Sequence, residues 1–438
     1  MNRDLRRDLY AALAAALLVA TAALVGAAIQ ERNGTLRVGW PPLLATWDPH
    51  LGPGTPAALA IGVVVVAYGP ALAARLPWRA LLPAVWAVGM AWTWSLALVD
   101  GWYRGVAEQL TTRNEYLRVV DRFHDIPAAL ADFNHHILID APDNWPAHVA
   151  GHPPGATLTF VLLDRVGLGG GGWAGAWCIT VGTTAAVAVL VTVRTLADES
   201  LARRAAPFLV LAPAAVWVGT SADGYFAAVA AWAVAFLALA VTGRRPGWNG
   251  VASGLLFGLT LYLSYGLTLF VLIAGAALFL GAHRIRPLPF LLAGFLVVPV
   301  AFTALGFDWW EAYRLLVRRY HQGSGGIRPY GYWVWANLAC TALVVGPATA
   351  AGLRRTGVAL VHRRSGPDVR VGVLVLAALT ALLVADLSGM SKAETERIWL
   401  PFAVWLLPAC AWLTGVRGWL AAQAVLALLI NHLLLTGW

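Results

Sequence analysis

The sequence predicts an all-α protein that crosses a membrane about thirteen times, with further helices lying along the outer membrane surface. Of its 438 residues, 59% are hydrophobic and 12% are charged, and the mean hydropathy is +0.68. Apolar runs of about 20 residues, the length that crosses a bilayer as a helix, recur along the whole chain. Because unpaired backbone groups are costly in lipid, and because the runs lack the alternating pattern of membrane barrels, we expect them to be helical.

The predicted spans belong to one membrane domain with three parts. Residues 1–78 form a two-span extension, residues 79–415 form a core with a long outer loop at 99–172, and residues 416–438 form the final span. The first apolar run is longer than the core of a signal peptide, so we expect it to be retained. The thirteen predicted spans are 9–29, 56–75, 79–98, 173–194, 205–220, 224–242, 249–264, 266–282, 287–306, 332–353, 371–386, 398–415 and 418–435.

The distribution of arginine predicts the orientation of these spans. If the N-terminus is cytoplasmic and the short apolar segment 154–168 lies at the membrane surface, the arginine-rich short loops all face the cytoplasm, as the positive-inside rule requires. Most acidic residues then lie outside, so any chemistry is expected to be extracytoplasmic. Only five of the 22 acidic residues remain inside, namely Asp4, Asp8, Asp198, Glu199 and Asp368.

Charge and cysteine content exclude several classes of function. The net charge of +9 does not indicate a nucleic-acid partner, because the arginines are dispersed among short loops between spans. Lysine is nearly absent while Ala, Arg, Gly and Trp are abundant, a composition typical of high-GC bacteria, so we expect a plasma-membrane protein. The three cysteines lie singly in apolar runs and predict neither a zinc site nor a disulfide framework.

Asp100 is the first acid of the largest outer loop and directly follows a predicted span, in the stretch LALVDGWYRG. A carboxylate at an apolar surface suits a general base, because the surroundings disfavour its charged form. An acid that is simply solvated at the end of a helix would show the same pattern. Glu108, Glu115 and Asp48 are therefore kept as reserve candidates.

The same outer loop closes in HVAGHPPG, residues 148–155. Two adjacent prolines restrict the backbone and prevent a continuous helix, which places His148 and His152 at the water boundary above the next apolar segment. An imidazole in this position can donate to a phosphate or carry a proton. A rigid helix entry whose histidines only reach toward water is the alternative.

Two later segments supply cationic side chains. In SGMSKAETERIWL, the start of a span is crowded by Lys392, Glu394, Glu396 and Arg397. The two cations can pair there with a phosphate or with the nearby acids. In DWWEAYRLLVRRYHQGSGG, Arg314 and Arg318 lie opposite an aromatic face, which predicts an interfacial helix. This helix would clamp a lipid phosphate or form a lid, and an ordinary headgroup anchor is the alternative.

Taken in order, these motifs resemble the C-type glycosyltransferases, the GT-C superfamily. That superfamily includes protein O-mannosyltransferases, aminoarabinose transferases and actinobacterial arabinofuranosyl and mannosyl transferases. The resemblance covers roughly residues 85–415 and includes TSADGYF, where Asp223 enters a span, the helix pair GLTLYLSYGLTLF, and the late span entry ERIWLPF. The chain departs from the common pattern in its two extra early spans and in the lone acid Asp100 followed by Gly.

The resemblance implies transfer of a sugar from a polyprenyl-phosphate donor to a hydroxyl of a cell-envelope glycan, glycolipid or protein, in one inverting displacement. Asp100 would be the base. No cluster of metal ligands is predicted, although Mg²⁺ or Mn²⁺ could bind at an acid that faces water. The residues implied in binding the substrate or its lipid phosphate are His148, His152, Asp223, Arg314, Arg318, Lys392, Glu396 and Arg397.

Two other classes of function remain open from the sequence. A lipid or glycan transporter would place ionisable groups in the middle of its spans and would show repeated halves, whereas the ionisable residues here cluster at the outer ends. A non-catalytic homologue that acts as an assembly partner has no sequence feature that separates it from an enzyme.

Overall fold

The computed structural model describes residues 3–362 and 365–437, which are almost entirely helical, so the predicted all-α fold is confirmed. The α-helices before residue 245 are α1 (Arg3–Asn33), α2 (Thr55–Arg75), α3 (Trp78–Ala97), α4 (Ile126–Asp132), α5 (Ala147–Gly151), α6 (Pro154–Arg165), α7 (Gly171–Gly182), α8 (Thr184–Leu196), α9 (Glu199–Val210), α10 (Ala215–Val218) and α11 (Ala222–Val241).

The second half of the chain is also mostly α-helical. Its α-helices are α12 (Pro246–Leu263), α13 (Phe270–Leu280), α14 (Leu288–Ala304), α15 (Trp309–Gln322), α16 (Ser324–Ile327), α17 (Tyr330–His362), α18 (Pro367–Leu387), α19 (Thr395–Ile398), α20 (Leu400–Ala403) and α21 (Val416–Leu433). The two short strands are β1 (Ala45–Trp47) and β2 (Leu434–Thr436), which pair antiparallel. Tighter or wider helical turns occupy Leu98–Asp100, Tyr103–Ala107, Gln109–Thr111, Tyr116–Phe123, Phe133–His136, Tyr265–Leu269 and Leu407–Trp412.

Within the described ranges, eight helices are long and apolar enough to cross a membrane, and a ninth span results if α14 and α15, bent by 76°, are counted together. The predicted number of thirteen is therefore not confirmed. The eight coincide with predicted spans and are Arg3–Asn33, Thr55–Arg75, Trp78–Asp100, Gly171–Leu196, Ala222–Val241, Tyr330–His362, Pro367–Leu387 and Val416–Leu433.

The other five predicted spans are short, broken or less apolar helices. The run at 205–220 is interrupted at Pro213 between α9 and α10, and the run at 398–415 is divided into short turns that contain Pro401 and Pro408. Proline supplies no backbone hydrogen and clashes with the preceding turn, so it breaks a helix that hydropathy alone reads as continuous. The segment after HPPG forms α6, a helix of only 12 residues.

Helix α11 lies at the centre of the bundle and is buried along most of its length. Its many alanines allow close approach of α7, α8, α12 and α13, which all pack against it. Helices α12 and α14 approach even more closely through glycine. A Cβ atom at Gly254 would lie 2.0 Å from the carbonyl oxygen of Leu291, so this crossing requires glycine.

The N-terminal part of the chain packs on the C-terminal part. Helix α1 runs along α17, and at one end of this pair the fully buried Asp8 contacts Arg354 at 2.6 Å and Arg355 at 2.7 Å. Toward the other end of α1, the Tyr332 hydroxyl donates to the carbonyl of Ala22. Strand β1 then pairs with β2 beyond α21, so the outer segment that follows α1 lies against the last helix.

Candidate functional site

A buried cluster of charged side chains gathers residues from distant parts of the chain at one end of the helices. Arg397, on α19, is at its centre with a side chain only 5% exposed. Its Nη1 donates to Asp223 Oδ2 at 2.6 Å, and its Nη2 contacts Glu394 Oε2 at 2.9 Å and His148 Nε2 at 2.9 Å. Asp223 is held at the start of α11 by Ser221, whose side chain accepts a bond from the Asp223 amide. The cluster therefore joins α11, α19 and the outer loop.

The contacts of His148 define its tautomer. A guanidinium only donates hydrogen bonds, so Nε2 of His148 accepts from Arg397 and carries no hydrogen. The hydrogen is on Nδ1, which lies 2.7 Å from Glu115 Oε1 and donates to it. His148 thus connects the buried carboxyl group of Glu115 to the central arginine.

Opposing electrostatic effects act on the two charged groups nearest the centre. Burial disfavours the guanidinium of Arg397, but the carboxylates of Asp223, Glu394 and Glu115 outweigh this effect and place the pKa of Arg397 above its ordinary value. Burial also acts to raise the pKa of Glu394, but Arg397 and Arg328 outweigh it and hold that pKa at about 2. The cluster therefore stays ion-paired across the physiological range of pH.

The balance of charges limits what the cluster can bind. Three carboxyl groups, from Glu115, Asp223 and Glu394, face the two guanidiniums of Arg397 and Arg328. There is no surplus of positive charge in this set. A phosphate that binds Arg397 must therefore take the place of one of its carboxylate partners.

Two small cavities meet at Asp223. The larger, of about 40 Å³, lies between Asp223, Phe226, Ser264, Ser391, Trp399 and Phe402. The smaller, of about 10 Å³, lies between Gln109, Glu115, His148, Thr220, Asp223 and Arg397. A water needs roughly 10–15 Å³ on this scale, so these two cavities have about the size of one to a few waters and are too small for a sugar ring.

Asp100 lies at the end of the turn that follows α3, with a side chain 14% exposed. Its Oδ1 is 2.6 Å from Nε2 of His50, and its Oδ2 is 3.7 Å from Nε of Arg104. Neither of the two cavities is lined by Asp100. The segment that follows it nevertheless leads to the smaller cavity, which Gln109 and Leu110 line.

His152 has an environment that does not suit a cationic phosphate ligand. It contacts the carbonyl of His148 at 2.7 Å and the Tyr116 hydroxyl at 3.1 Å, both through Nδ1, and its ring faces Phe226. Since a carbonyl only accepts, Nδ1 carries the hydrogen. Burial lowers the pKa of His152 to about 4, so the ring is neutral at pH 7. The role of His152 in binding a phosphate stays a prediction.

Lys392 and Glu396 point away from the centre of the cluster. The ammonium of Lys392 donates to the carbonyl of Gly325 at 2.9 Å and lies over the ring of Tyr320. Glu396 is fully buried, and its Oε1 accepts a 3.0 Å bond from the backbone amide of Leu44. Of the cations in this segment, Arg397 is therefore the one that meets Asp223 and His148.

A pH dependence of stability follows from Glu396. Burial raises the pKa of this carboxyl to about 7 from an ordinary value of 4.5. The folded state thus binds the proton more tightly, and the stability that this group contributes is present below pH 4.5 and is lost as pH rises through 7. We therefore expect the free energy of unfolding of the wild type to fall by on the order of 3 kcal/mol over this rise in pH. Glu396→Gln, which cannot ionise, is expected not to show this decrease. The measurement is the midpoint of thermal unfolding of the purified protein at pH 5 and pH 8.

The control for this measurement is Glu31→Gln, which changes an exposed glutamate. It is expected to keep the wild-type difference between the two pH values. A Glu396→Gln variant that loses as much stability as the wild type between pH 5 and pH 8 would contradict the assignment.

The remaining predicted residues lie outside the cluster, except for one reserve acid. Arg314 and Arg318 are exposed on α15, and the neighbouring Arg319 instead donates to the carbonyl of Trp145 at 3.0 Å. Asp48 is exposed and Glu108 is partly exposed. Glu115 is the reserve acid that the structure brings to Arg397, through His148.

Sequence reasoning missed two members of the arrangement. Arg328, whose side chain is 8% exposed, lies 3.3 Å from Glu394, and His50 contacts Asp100. Neither residue stands in a recognisable motif. The turn WDPH before α2 is the only sequence signal for His50, and it does not indicate the partner.

No group of three or more His, Cys, Asp or Glu residues that could hold a metal ion occurs within residues 3–362 and 365–437. Asp100 has one imidazole and one guanidinium beside it, and the guanidinium repels a cation. The side chains beside Asp100 therefore do not form a site for Mg²⁺ or Mn²⁺.

Similar solved structures include two membrane proteins. One is the Archaeoglobus fulgidus oligosaccharyltransferase in complex with Zn and sulfate, with 14% identity, 79% of this chain and 51% of that chain covered, and a TM-score of 0.48. The other is ArnT from Cupriavidus metallidurans, with 18% identity, 77% and 60% covered, and a TM-score of 0.45. ArnT bound to undecaprenyl phosphate matches at 17% identity, with the same coverage and a TM-score of 0.43.

Both proteins are membrane glycosyltransferases of the GT-C superfamily, which is the superfamily that the motifs resemble. The chain spans only half to three fifths of their length. At identities below 20% and TM-scores below 0.5, the likeness assigns no activity. No family model matches the sequence, and no curated protein matches it.

Proposed function

We propose that this protein transfers a sugar from a polyprenyl-phosphate donor to a hydroxyl of a cell-envelope glycan, glycolipid or protein, at the outer face of the plasma membrane. The observation that carries the proposal is the position of Arg397. It is a buried guanidinium at the ends of apolar helices, it lines a polar cavity, and carboxylates and an imidazole surround it. Charged groups buried in this way in a membrane protein mark functional sites.

The chemistry of the donor suits this arrangement. When the bond between the sugar and the phosphate breaks, negative charge grows on the leaving phosphate, and a planar guanidinium stabilises it with two parallel hydrogen bonds. The polyprenyl tail lies among apolar helices while the phosphate stays at their ends. Arg397 would receive the phosphate in exchange for Asp223 or Glu394, and these acids would then orient the sugar or the guanidinium.

Asp100 is the proposed base for the acceptor hydroxyl. It lies at the end of an apolar span, is mostly buried, and begins the segment that runs to the smaller cavity. Arg314 and Arg318 on α15, together with Lys392, are proposed to attract the lipid phosphate before it reaches Arg397. Glu115 would act on the site through His148 as a positioning group.

The orientation is proposed from the two ends of α1. The buried pairs of Asp8 with Arg354 and Arg355 lie at the end where α1 begins, and the arginine-rich short loops are predicted for that side. The other end of α1, which contacts Tyr332, lies on the same side of the helix bundle as Arg328 and Arg397. We therefore place the N-terminus in the cytoplasm and the Arg397 cluster outside.

The proposal is tested with membranes that contain the full-length protein and radiolabelled polyprenyl-phosphate arabinose, mannose or glucose. We expect one donor to lose its sugar to an acceptor in these membranes and not in matched membranes without the protein. Transfer from none of the three would overturn this form of the proposal. Movement of intact donor across reconstituted vesicles without transfer would assign the protein to the transporters instead.

A further inference from the structure

The contact between His50 and Asp100 joins the proposed base to a part of the chain that precedes residues 85–415, the range that resembles the GT-C superfamily. Nδ1 of His50 lies 2.7 Å from the carbonyl oxygen of Asp48 and must donate to it, because a carbonyl only accepts. Nε2 of the same ring lies 2.6 Å from Asp100 Oδ1. A contact this short is a hydrogen bond between the imidazole ring and the carboxyl group.

The imidazole is held in place by the end of the last helix. The backbone amide of His50 donates to the carbonyl of His432 at 2.9 Å, and the amide of Asp48 donates to that of Leu433 at 3.0 Å. These bonds extend the pairing of β1 with β2 toward Asp100. Both the backbone and the ring of His50 are thus fixed by hydrogen bonds before the ring meets the carboxylate.

The segment that carries His50 also contacts the Arg397 side of the site. The amide of Leu44 donates to Glu396, the neighbour of Arg397, and the carbonyl of Leu36 accepts from Nε of Arg328. The outer segment 36–50 therefore touches both proposed working parts, the base and the phosphate-binding cluster. A change in its position would alter the separation between them.

We propose that His50 is the positioning residue for Asp100, an inference that rests on the proposed function. His50 binds Oδ1 and leaves Oδ2 for the acceptor hydroxyl. In the transfer step, the hydroxyl proton moves to Oδ2, the acceptor oxygen bonds to the anomeric carbon, and the bond from that carbon to the phosphate oxygen breaks. The electron pair of the broken bond leaves with the phosphate, and His50 keeps its own proton throughout.

The groups that face this pair are few and defined. Arg104 lies 3.7 Å from Oδ2 and adds positive charge on the open side of the carboxylate. Asp48 and His432 face His50 through their backbone carbonyls, and the ring of His432 is bonded to Thr55. The hydrogen bond from His50 is therefore the short contact that sets the rotation of the carboxylate.

The test compares His50→Ala and His50→Gln in the purified full-length protein, with the polyprenyl-phosphate sugar that the wild type uses. We expect His50→Ala to lower kcat about 10- to 100-fold with KM for the donor changed less than about twofold. The amide of Gln can donate to Oδ1, so His50→Gln should recover most of kcat. An unchanged kcat in His50→Ala, or an equal loss in both variants, would overturn the inference.

The matched control is His135→Ala. His135 also contacts an aspartate, Asp132, at 2.7 Å, but that pair is exposed on the outer loop. This variant is expected to keep the wild-type kcat. A loss equal to that of His50→Ala would show that any histidine of the outer face has the effect, and would overturn the specific role.

A second measurement reports the pair without activity. In protein labelled with ¹⁵N-histidine, the hydrogen between His50 and Asp100 should give a strongly downfield NMR resonance that moves upfield in Asp100→Asn and is absent in His50→Gln. A resonance that keeps its downfield position in Asp100→Asn would refute the pairing with the carboxylate. A wild type that transfers no sugar would overturn the proposed function, and the positioning role of His50 with it, whatever the spectrum shows.

Discussion

Replacing Asp100 with Asn is expected to abolish sugar transfer and to leave the fold intact. The amide has the shape of the carboxylate and its oxygen can still accept from His50, but it cannot take a proton from the acceptor hydroxyl. Loss of a general base lowers the rate about 100- to 10,000-fold. The measurement is the initial rate of label transfer at equal protein, with size-exclusion elution as the check on folding.

The matched control is Asp121→Asn, an exposed acid of the same outer loop. It is expected to transfer sugar at the wild-type rate. If Asp100→Asn also keeps that rate, the base lies elsewhere, and Glu115 becomes the first candidate because it is the other acid that the structure connects to Arg397. Whether Asp100→Asn loses or keeps the wild-type rate, the sugar transfer measured for the wild type still supports the proposed function.

Replacing Arg397 with Ala is expected to remove both transfer and much of the stability. The variant leaves Asp223 and Glu394 at a buried position without the guanidinium that they contact. Removing one partner from a buried ion pair costs about 3–5 kcal/mol. The measurement is the thermal unfolding midpoint in detergent, read from tryptophan fluorescence, together with the rate of transfer. A variant as stable as the wild type would contradict the pairing.

Arg397→Lys separates the proposed phosphate contact from the fold. Lysine keeps the positive charge near Asp223, but it is a point donor and cannot make the parallel contacts of a guanidinium. We expect a folded protein whose KM for the donor rises about 10- to 100-fold, the equivalent of one lost hydrogen bond to a charged group. The control is Arg118→Ala, an exposed arginine of the outer loop. A wild-type KM in Arg397→Lys would exclude Arg397 as the phosphate ligand.

Hydropathy predicted some spans that form single long helices and others that are divided into short pieces. Long runs such as α11 and α17 form single helices, although α17 is kinked at Gly346. The runs at 205–220 and 398–415 contain prolines and fold into short pieces packed against other helices. Hydropathy measures whether a segment avoids water, and a buried broken helix avoids water as completely as a span does.

The candidate site shows the same division at the level of single residues. The sequence pointed to Asp223, His148 and Arg397 separately, and the structure brings them into contact. It pointed equally to His152 and Lys392, which the structure directs to backbone carbonyls. The chemical capacity of a side chain is evident from its type, but its partner depends on how helices far apart in the chain are packed.

From the sequence by itself, the membrane class and the helical fold were determined, and candidate reactive side chains at the helix ends were predicted, because hydrophobicity and side-chain chemistry are local properties. Only the tertiary structure decided that Arg397 is paired with Asp223 and Glu394, that Glu115 reaches it through His148, and that His50 holds Asp100. These contacts join residues up to 249 positions apart. They follow from the packing of helices and outer segments, a physical property that no single stretch of sequence contains.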